Sequence, residues 1–585
     1  MTSSEISGAA FSRASIDAWA HLSTRHSNWP VVYVIDEGGR PATTAGATAK
    51  VYVGESLNAR ARMHQHLDSG KKTALQRVHV IVDDEFNKSV CLDLESHLIR
   101  WFSGDGSYQV LNLNGGITDA EYYDRESYRE RFPAIFEELR RKGMFTRSIR
   151  QIENSDLFKL SPFKALTQDQ AIAIEDILEG FFSDLENGRA STSVIQGDPG
   201  TGKTIVGIHL MKLIRDIESA DDDDLLDRDW MFAEFFTESH RRLLRSLRIG
   251  LVVPQQSLRE SIRNVFKRTP GLSPQMVVDP FKVGADSERY DLLIVDETHR
   301  LNQRASLASG IQNGQFRDIT ITLFGEDDLG KTQLDWIKAR SNHQIFLVDA
   351  LQSVRPADLP RPVLTGLVER AELEHRYYRL SSQMRVKAGE DYVGYVRSVL
   401  AGPTGAPPAP RTFGDYALRM YDDLGAMRSD VVRLDQEHGL ARLVAGYAWK
   451  WQSKDDPSAY DIELDGLRLQ WNRAEKDWIN SPGSIDEVGS IHTVQGYDLN
   501  YAGVIIGPDL RLDPRSGRLR MDRASYFDAK GKQNNPKLGI TYSDDDLLEY
   551  ILNIYGVLLT RGMLGTFVYV CDHELRDYLR PYFGG

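Results

Sequence analysis

Eight residues constrain this chain more than any others: Gly197-Asp198-Pro199-Gly200-Thr201-Gly202-Lys203-Thr204. They fit G-x-x-x-x-G-K-[ST] at every fixed position. The run Ser193-Val194-Ile195 ahead of them is β-prone, and Ile205-Val206-Gly207-Ile208-His209-Leu210 behind them reads as a buried helix. Strand, glycine turn and helix together make a phosphate cradle. The glycines let backbone N–H groups close on phosphate oxygens, and the helix N-terminus adds positive potential. Lys203 is expected to reach β- and γ-phosphates, and Thr204 to offer its hydroxyl to Mg²⁺. ATP with Mg²⁺ is therefore the expected cofactor.

Further motifs extend this reading. Asp291-Leu292-Leu293-Ile294-Val295 is a buried strand that ends in Asp296-Glu297-Thr298-His299-Arg300. Parallel strands present their C-terminal ends to the ligand crevice. Asp296 is thus expected to hold Mg²⁺ and Glu297 to orient the attacking water. Ile249–Pro254 reads as another core strand. Gln344–Val348 is one more, followed by Asp349-x-x-Gln352, where Gln352 could sense the γ-phosphate. Gln170 lies just ahead of the phosphate loop; its amide can donate to and accept from adenine, and a surface helix glutamine is the other reading. Tyr378–Arg385 reads as the opening of a second α/β unit, Ser490–Asp498 precedes the strand Ala502–Gly507, and Tyr555–Gly562 ends a helix. Residues 216–248 read as a solvated helical insertion around the acidic run Asp221–Asp224.

The N-terminal region has a different pattern. Residues 1–30 read as a helical lead-in. Val31–Ile35 and Lys50–Gly54 read as a hairpin with a long Gly/Ala/Thr loop, then a helix capped near Ser56 or Asn58 and a second helix over about Ser89–Phe102. Arg62 and His66 are four apart and share a helix face. Glu95 falls within the apolar stripe Leu92, Leu98, Ile99 and Phe102, where a carboxylate must be paired, protonated or metal-bound. Residues 119–159 are highly charged and read as a helical linker.

Charge and cysteine count narrow the function classes. The net charge is −13, yet residues 1–150 hold 19 Lys+Arg and 19 Asp+Glu, so any nucleic-acid surface must be a local groove. Two cysteines, Cys91 and Cys571, cannot build a zinc cluster or a disulfide framework. With no long apolar run and no basic-then-apolar N-terminus, a cytoplasmic protein without a membrane span is expected.

Two resemblances gather these residues. Val32-Tyr33, Tyr52-Val53-Gly54, Arg62, His66, Glu95 and Asn112 resemble the GIY-YIG nuclease family, over about residues 31–118, with Val31 where the family usually has its first glycine. The resemblance implies a Mg²⁺ ion on Glu95, charge neutralisation by Arg62, Tyr33 as general base, and Tyr52 and His66 as proton-handling groups. The order Gln170, phosphate loop, Asp296-Glu297, Asp349-x-x-Gln352, Arg385, Thr493-x-Gln495-Gly496 and Thr560-Arg561 resembles a superfamily 1 helicase. More closely, Asp296–Arg300, Trp449-Lys450-Trp451, Trp471-Asn472, Ile491–Gly496 and Leu558–Gly562 resemble the Schlafen-group-3-type DNA/RNA helicase domain. That implies Arg385 and Arg561 as arginine fingers. The expected fold is α/β: a small α+β domain, then two RecA-like parallel-sheet domains at 160–370 and 371–585. The expected activity is an ATP-dependent nucleic-acid motor fused to a Mg²⁺-dependent endonuclease, used in defence against foreign DNA or in repair. Its expected substrate is single-stranded or branched DNA, with RNA left open because no motif here reads a 2′-hydroxyl. Protein partners and self-association are left open too. A docking-only N-terminal module and an ATP-gated switch are the alternatives.

Overall fold

The structure is a computed structural model of the 585-residue chain, describing residues 4–38, 48–68, 74–113, 121–220, 231–304, 310–349, 354–384, 386, 391–474, 478–494 and 497–584. It divides into two compact units. The first contains residues 1–189, 204–247 and 261–277; the second contains 190–203, 248–260 and 278–585.

In the first unit, five strands form a mixed sheet: β1 (Glu5–Ala10), β2 (Val31–Asp36), β3 (Ala49–Ser56), β4 (Arg77–Val82) and β5 (Tyr108–Val110), in the order β1-β4-β2-β3-β5. β2 is central, and all six of its residues are buried. Its alternation feeds two cores. Val32 and Val34 pack with Leu94, Leu98, Ile99 and Phe102 of one helix, whereas Val31, Tyr33 and Ile35 pack with Ile16, Trp19 and Met63 of others. The helices are α1 (Arg13–Ala20), α2 (Ala59–Asp68) and α3 (Lys88–Asp105).

Two expectations change here. The lead-in is not purely helical: β1 pairs antiparallel along all of β4. Its sequence, Glu-Ile-Ser-Gly-Ala-Ala, carries little strand propensity, and the pairing comes from the partner edge. Residues 119–159 are not a mere linker either. They include α4 (Arg125–Arg129), α5 (Phe132–Arg141), α6 (Ile149–Glu153) and α7 (Asp156–Lys159), and Phe132, Ile135, Phe136 and Leu139 are buried in the α3 core. Some of their charged residues form exposed local pairs such as Arg140–Glu137, while Arg125 is buried and Arg129 and Arg131 pair with the buried Asp93 and Asp83. The unit also holds α8 (Gln168–Glu186), most of α9 (Lys203–Ser219) and α10 (Glu238–Leu244). The insertion is partly core: Phe232, Phe235, Phe236 and Leu244 are buried, and His240 stacks on Phe182 at 3.9 Å.

The second unit carries two sheets. One contains β6 (Ser191–Gly197), β7 (Ile249–Val252), β8 (Val277–Val278, whose first residue lies in the first unit), β9 (Tyr290–Val295), β10 (Ser341–Val348) and β11 (Tyr377–Leu380), in the order β11-β6-β10-β9-β7-β8. The pairs β11–β6, β6–β10, β10–β9 and β9–β7 are parallel. Near-continuous apolar runs such as Leu-Leu-Ile-Val in β9 suit strands covered on both faces. Tyr378–Leu380 therefore closes the first sheet beside β6 instead of opening the second.

The other sheet contains β12 (Ala417–Tyr421) and β13 (Ala441–Ala445). After a small hairpin, β14 (Ile462–Leu464) and β15 (Leu467–Leu469), come β16 (Val488–Ser490) and β17 (Leu499–Ile506). A second hairpin, β18 (Leu510–Asp513) and β19 (Arg518–Met521), precedes the last strand, β20 (Gly562–Val570). The order β12-β20-β17-β13-β16 is parallel throughout. The chain is thus an α/β protein with two parallel sheets of RecA-like kind and an N-terminal mixed-sheet domain. Among the described residues, no helix is long and apolar enough to cross a membrane.

Candidate functional site

The phosphate loop leaves β6 and enters α9. Gly200 and Gly202 adopt φ of +90° and +78°, a region that disfavours side chains. Gly197 is fixed by space: a Cβ there would stand 2.3 Å from Thr201 Oγ1. Lys203 is buried, and its Nζ donates to the carbonyls of Gly197 (2.6 Å) and Asp198 (3.0 Å), with Asp349 Oδ2 at 3.5 Å. Thr201 Oγ1 donates to Asp198 O at 2.9 Å.

Acids converge at the ends of β9 and β10. Asp296 is buried, and its Oδ1 accepts from Glu297 N at 2.9 Å. Glu297 has φ +48°, a strained conformation for a residue other than glycine. Burial pushes its carboxyl up, but His299 at 3.0 Å, Arg300 and Lys203 outweigh that and hold it well below the usual carboxylate range. A carboxyl held low in this way favours its anionic form.

Sequence reasoning missed several contacts to this loop. Gln383 Nε2 donates to Pro199 O at 2.8 Å, Met384 N to Gly200 O at 2.9 Å, and Arg397 Nη1 to Asp198 Oδ1 at 2.7 Å. Gln383 and Met384 follow β11, whose parallel register beside β6 brings them there, whereas Arg397 comes from the helix Asp391–Leu400. Arg561 is buried and donates from Nη1 to Tyr497 O at 3.2 Å. Gln352 and Arg385 lie outside the described residues, as do Gln495 and Gly496. In the first unit, Thr204 stands in the first turn of α9. Gln170 is buried in the first turn of α8, where Oε1 accepts from Thr167 N at 3.0 Å, so it is not a surface glutamine. Trp336 and Trp471 are core residues.

The N-terminal domain gathers its own constellation. Tyr33 Oη and His66 Nε2 are 2.8 Å apart, and the rings of Tyr52 and His66 meet edge-on at 4.9 Å. Gly54 leaves room for Tyr33, since a Cβ there would stand 2.4 Å from Tyr33 Oη. α2 brings His66 and Arg62 to this face, its first turn capped by Asn58 Oδ1 accepting from Ala61 N. Arg62 hydrogen-bonds to both phenols. Burial pushes both phenols up, Tyr52 to about 12 and Tyr33 well above its ordinary value. Neither ionises readily, so a free phenolate at Tyr33 is costly, and His66 is the group placed to share its proton. Asn112 fixes β3, accepting from Val53 N (3.1 Å) and donating to Val53 O (2.8 Å). From α3, Glu95 joins the same field; burial and then the nearby Glu55 push its carboxyl up to about 8, against the pull of Lys88 and Arg62. Among the described residues, no group of three or more His, Cys, Asp and Glu is arranged to hold a metal. Mg²⁺ is commonly held by one or two carboxylates plus phosphate oxygens, and Glu95 and Glu55, whose mutual repulsion a cation would relieve, are donors of that type.

Comparison with known proteins decides the family. Residues 190–572 match the Schlafen group 3, DNA/RNA helicase domain. The chain belongs to this family. A Schlafen group 3 helicase domain implies ATP hydrolysis with Mg²⁺ and a nucleic-acid partner, in agreement with the phosphate loop and the acids at the ends of β9 and β10. The match begins at residue 190, so the N-terminal domain lies outside it. The chain is also 25% identical over 417 residues to the uncharacterized protein YPL245W of Saccharomyces cerevisiae, covering 66% of this chain and 84% of that protein. Two solved helicases overlap more loosely. A Pif1 helicase from Bacteroides with ADP-AlF3 and ssDNA gives a TM-score of 0.25 at 10% identity, covering 69% of this chain and 92% of that one. The DUF1998 helicase MrfA bound to DNA and AMPPNP gives 0.23 at 8% identity, covering 71% and 52%. At such scores, neither overlap carries an argument.

Proposed function

We propose that this chain is an ATP-driven nucleic-acid motor joined to a Mg²⁺-dependent endonuclease of GIY-YIG type. The motor half is supported by the helicase family of residues 190–572 and by the phosphate loop and a Glu297 carboxyl that favours its anionic form. The observation that carries the nuclease half is the 2.8 Å contact of Tyr33 Oη with His66 Nε2 over Gly54, with Arg62 against both phenols.

In the motor, Lys203 would exchange its loop carbonyls for β- and γ-phosphate oxygens. Asp296 and the Thr204 hydroxyl would hold Mg²⁺, and Glu297 would orient water for attack. Gln170 is the proposed adenine reader. Gln352 would sense the γ-phosphate, and Arg385 and Arg561 would act as fingers on it; for Arg561 this requires release from Tyr497 O. In the nuclease, Mg²⁺ held by Glu95 would supply Lewis-acid polarisation of the phosphodiester. The Tyr33–His66 pair would take the proton of the attacking water, with His66 the end acceptor because the Tyr33 phenol resists ionisation. Arg62 would neutralise charge developing on the phosphate, while Tyr52 orients His66. The complete burial of Tyr33 favours one second reading, a docking-only module.

The experiment is cleavage of single-stranded, duplex and forked DNA, and of RNA, with Mg²⁺ and with or without ATP. Glu95→Ala is expected to abolish cleavage and keep ATPase. Lys203→Ala is expected to abolish ATPase. Cleavage that survives Glu95→Ala would remove the nuclease assignment, and ATPase indifferent to every nucleic acid would remove the motor.

A further inference from the structure

Residues 510–537 run against the charge of the chain: they hold eight Lys or Arg and three Asp, in a protein of net charge −13. They comprise the β18–β19 hairpin and the turn that follows it. One face of the hairpin is anchored, with Leu510, Leu519 and Met521 buried. The other carries Arg518 and Arg520, both exposed. Register puts Arg520 directly opposite Arg511, and like charges opposed across a strand pair weaken it. Arg511 is answered by Asp522 at 2.8 Å, and Arg523 by Asp544 at 2.7 Å. Arg515, Arg518 and Arg520 make no salt bridge among the described residues, although Asp513 lies opposite Arg518 and feels Arg520. The adjoining turn exposes Phe527, with Lys532 Nζ 5.9 Å from its ring centre.

We propose that this hairpin and turn grip the phosphate backbone of a nucleic acid. Arginines two apart on one strand face repeat at roughly 6.8 Å, about the rise of two phosphates along one strand of B-DNA. Guanidinium groups pair with phosphate oxygens in a bidentate manner, and an exposed aromatic ring offers a stacking face for a base. The turn is also tied to the motor. Phe527 N donates to Tyr447 O at 2.8 Å, and Asp528 Oδ2 is 3.1 Å from Nε2 of His492, just ahead of Thr493. Asn535 Nδ2 donates to Arg304 O at 2.6 Å, close behind the Asp296–Arg300 motif. Backbone tension at the hairpin would therefore reach both sheets. The inference rests on the motor reading for the class of partner and goes beyond it in locating the contact.

The test is Arg515→Glu/Arg518→Glu/Arg520→Glu, compared with wild type and with a charge-matched variant at Arg141, Arg245 and Arg317. Fluorescence anisotropy would follow a labelled single-stranded oligonucleotide and its duplex across a salt series, with a thermal melt of each protein. The hairpin variant should melt as wild type, because its three positions are exposed. It should bind at least about tenfold more weakly at moderate salt, with the salt slope flattened by roughly two to three. Unchanged affinity and slope overturn the proposal, as does an equal loss in the charge-matched variant. A wild-type protein that binds neither probe overturns both this proposal and the motor reading; wild-type binding with an unaffected hairpin variant overturns this proposal alone.

Discussion

Gly54 holds the N-terminal constellation together by having no side chain. A methyl group there would sit 2.4 Å from Tyr33 Oη, so Gly54→Ala should displace the phenol from His66. Its expected cost is about 1–3 kcal/mol, read in a denaturant midpoint, with cleavage falling alongside. Asp509 makes a second prediction. It is buried, its Oδ1 accepts from Tyr555 Oη at 2.6 Å, and burial raises its carboxyl from 3.8 to about 7 despite that bond. Between these values the unfolded chain has released the proton and the folded chain has kept it. Stability should therefore fall as pH rises from about 4 to 7 and level off above, by about 4 kcal/mol in all. Asp509→Asn keeps an acceptor for Tyr555 and should lose that slope; thermal melts of both proteins from pH 5 to 8 read it. The residues of the phosphate loop itself were legible from spacing alone. That His299 would stand 3.0 Å from the Glu297 carboxyl and help hold it low was not, because the two meet only through the turn after β9.

Helices and strands were legible where periodicity was strong and illegible where packing decided. The strands around Val194, Val252, Val295 and Phe346 are apolar runs that any burial demands. β1 is different: a Ser-Gly-Ala-Ala edge becomes a strand because β4 offers it an unpaired row of N–H and C=O groups. α5 teaches the same lesson. Its charges conceal Phe132, Ile135, Phe136 and Leu139, spaced three and four apart on one face. If residues 119–159 belong to the domain core, Phe136→Ala should cost about 3–5 kcal/mol, measured by denaturant unfolding of the N-terminal unit. A change below about 1 kcal/mol would return the segment to a linker.

For the whole molecule, the first unit takes in residues 204–247 and 261–277, which lie in the chain between strands of the phosphate-loop sheet. Ser261 Oγ donates to Asp156 Oδ2 at 2.5 Å, His209 Nδ1 to Pro162 O at 3.0 Å, and Lys212 Nζ lies 5.9 Å from the ring centre of Phe163. Burial holds the His209 imidazole down to about 4, so it stays neutral in this seat. A fragment beginning at Ala190 would strip these partners from residues 204–247 and 261–277. It should melt lower than the full chain by roughly 2–4 °C per kcal/mol lost and expose apolar surface to a hydrophobic dye; an equal melting temperature would make the two parts independent. By itself, the sequence determined the chemistry on offer: a phosphate cradle, acids at strand ends, and a set of Tyr, Arg, His and Glu in the N-terminal region. Such patterns are local, and local geometry follows from glycine, charge and apolar period. The tertiary structure alone decided that Tyr378–Leu380 closes the first sheet, that Gln383 and Arg397 reach the phosphate loop, and that Phe132, Ile135, Phe136 and Leu139 of the charged segment are core. These depend on which edges and faces are left to be covered, and that is set by parts of the chain far apart in sequence.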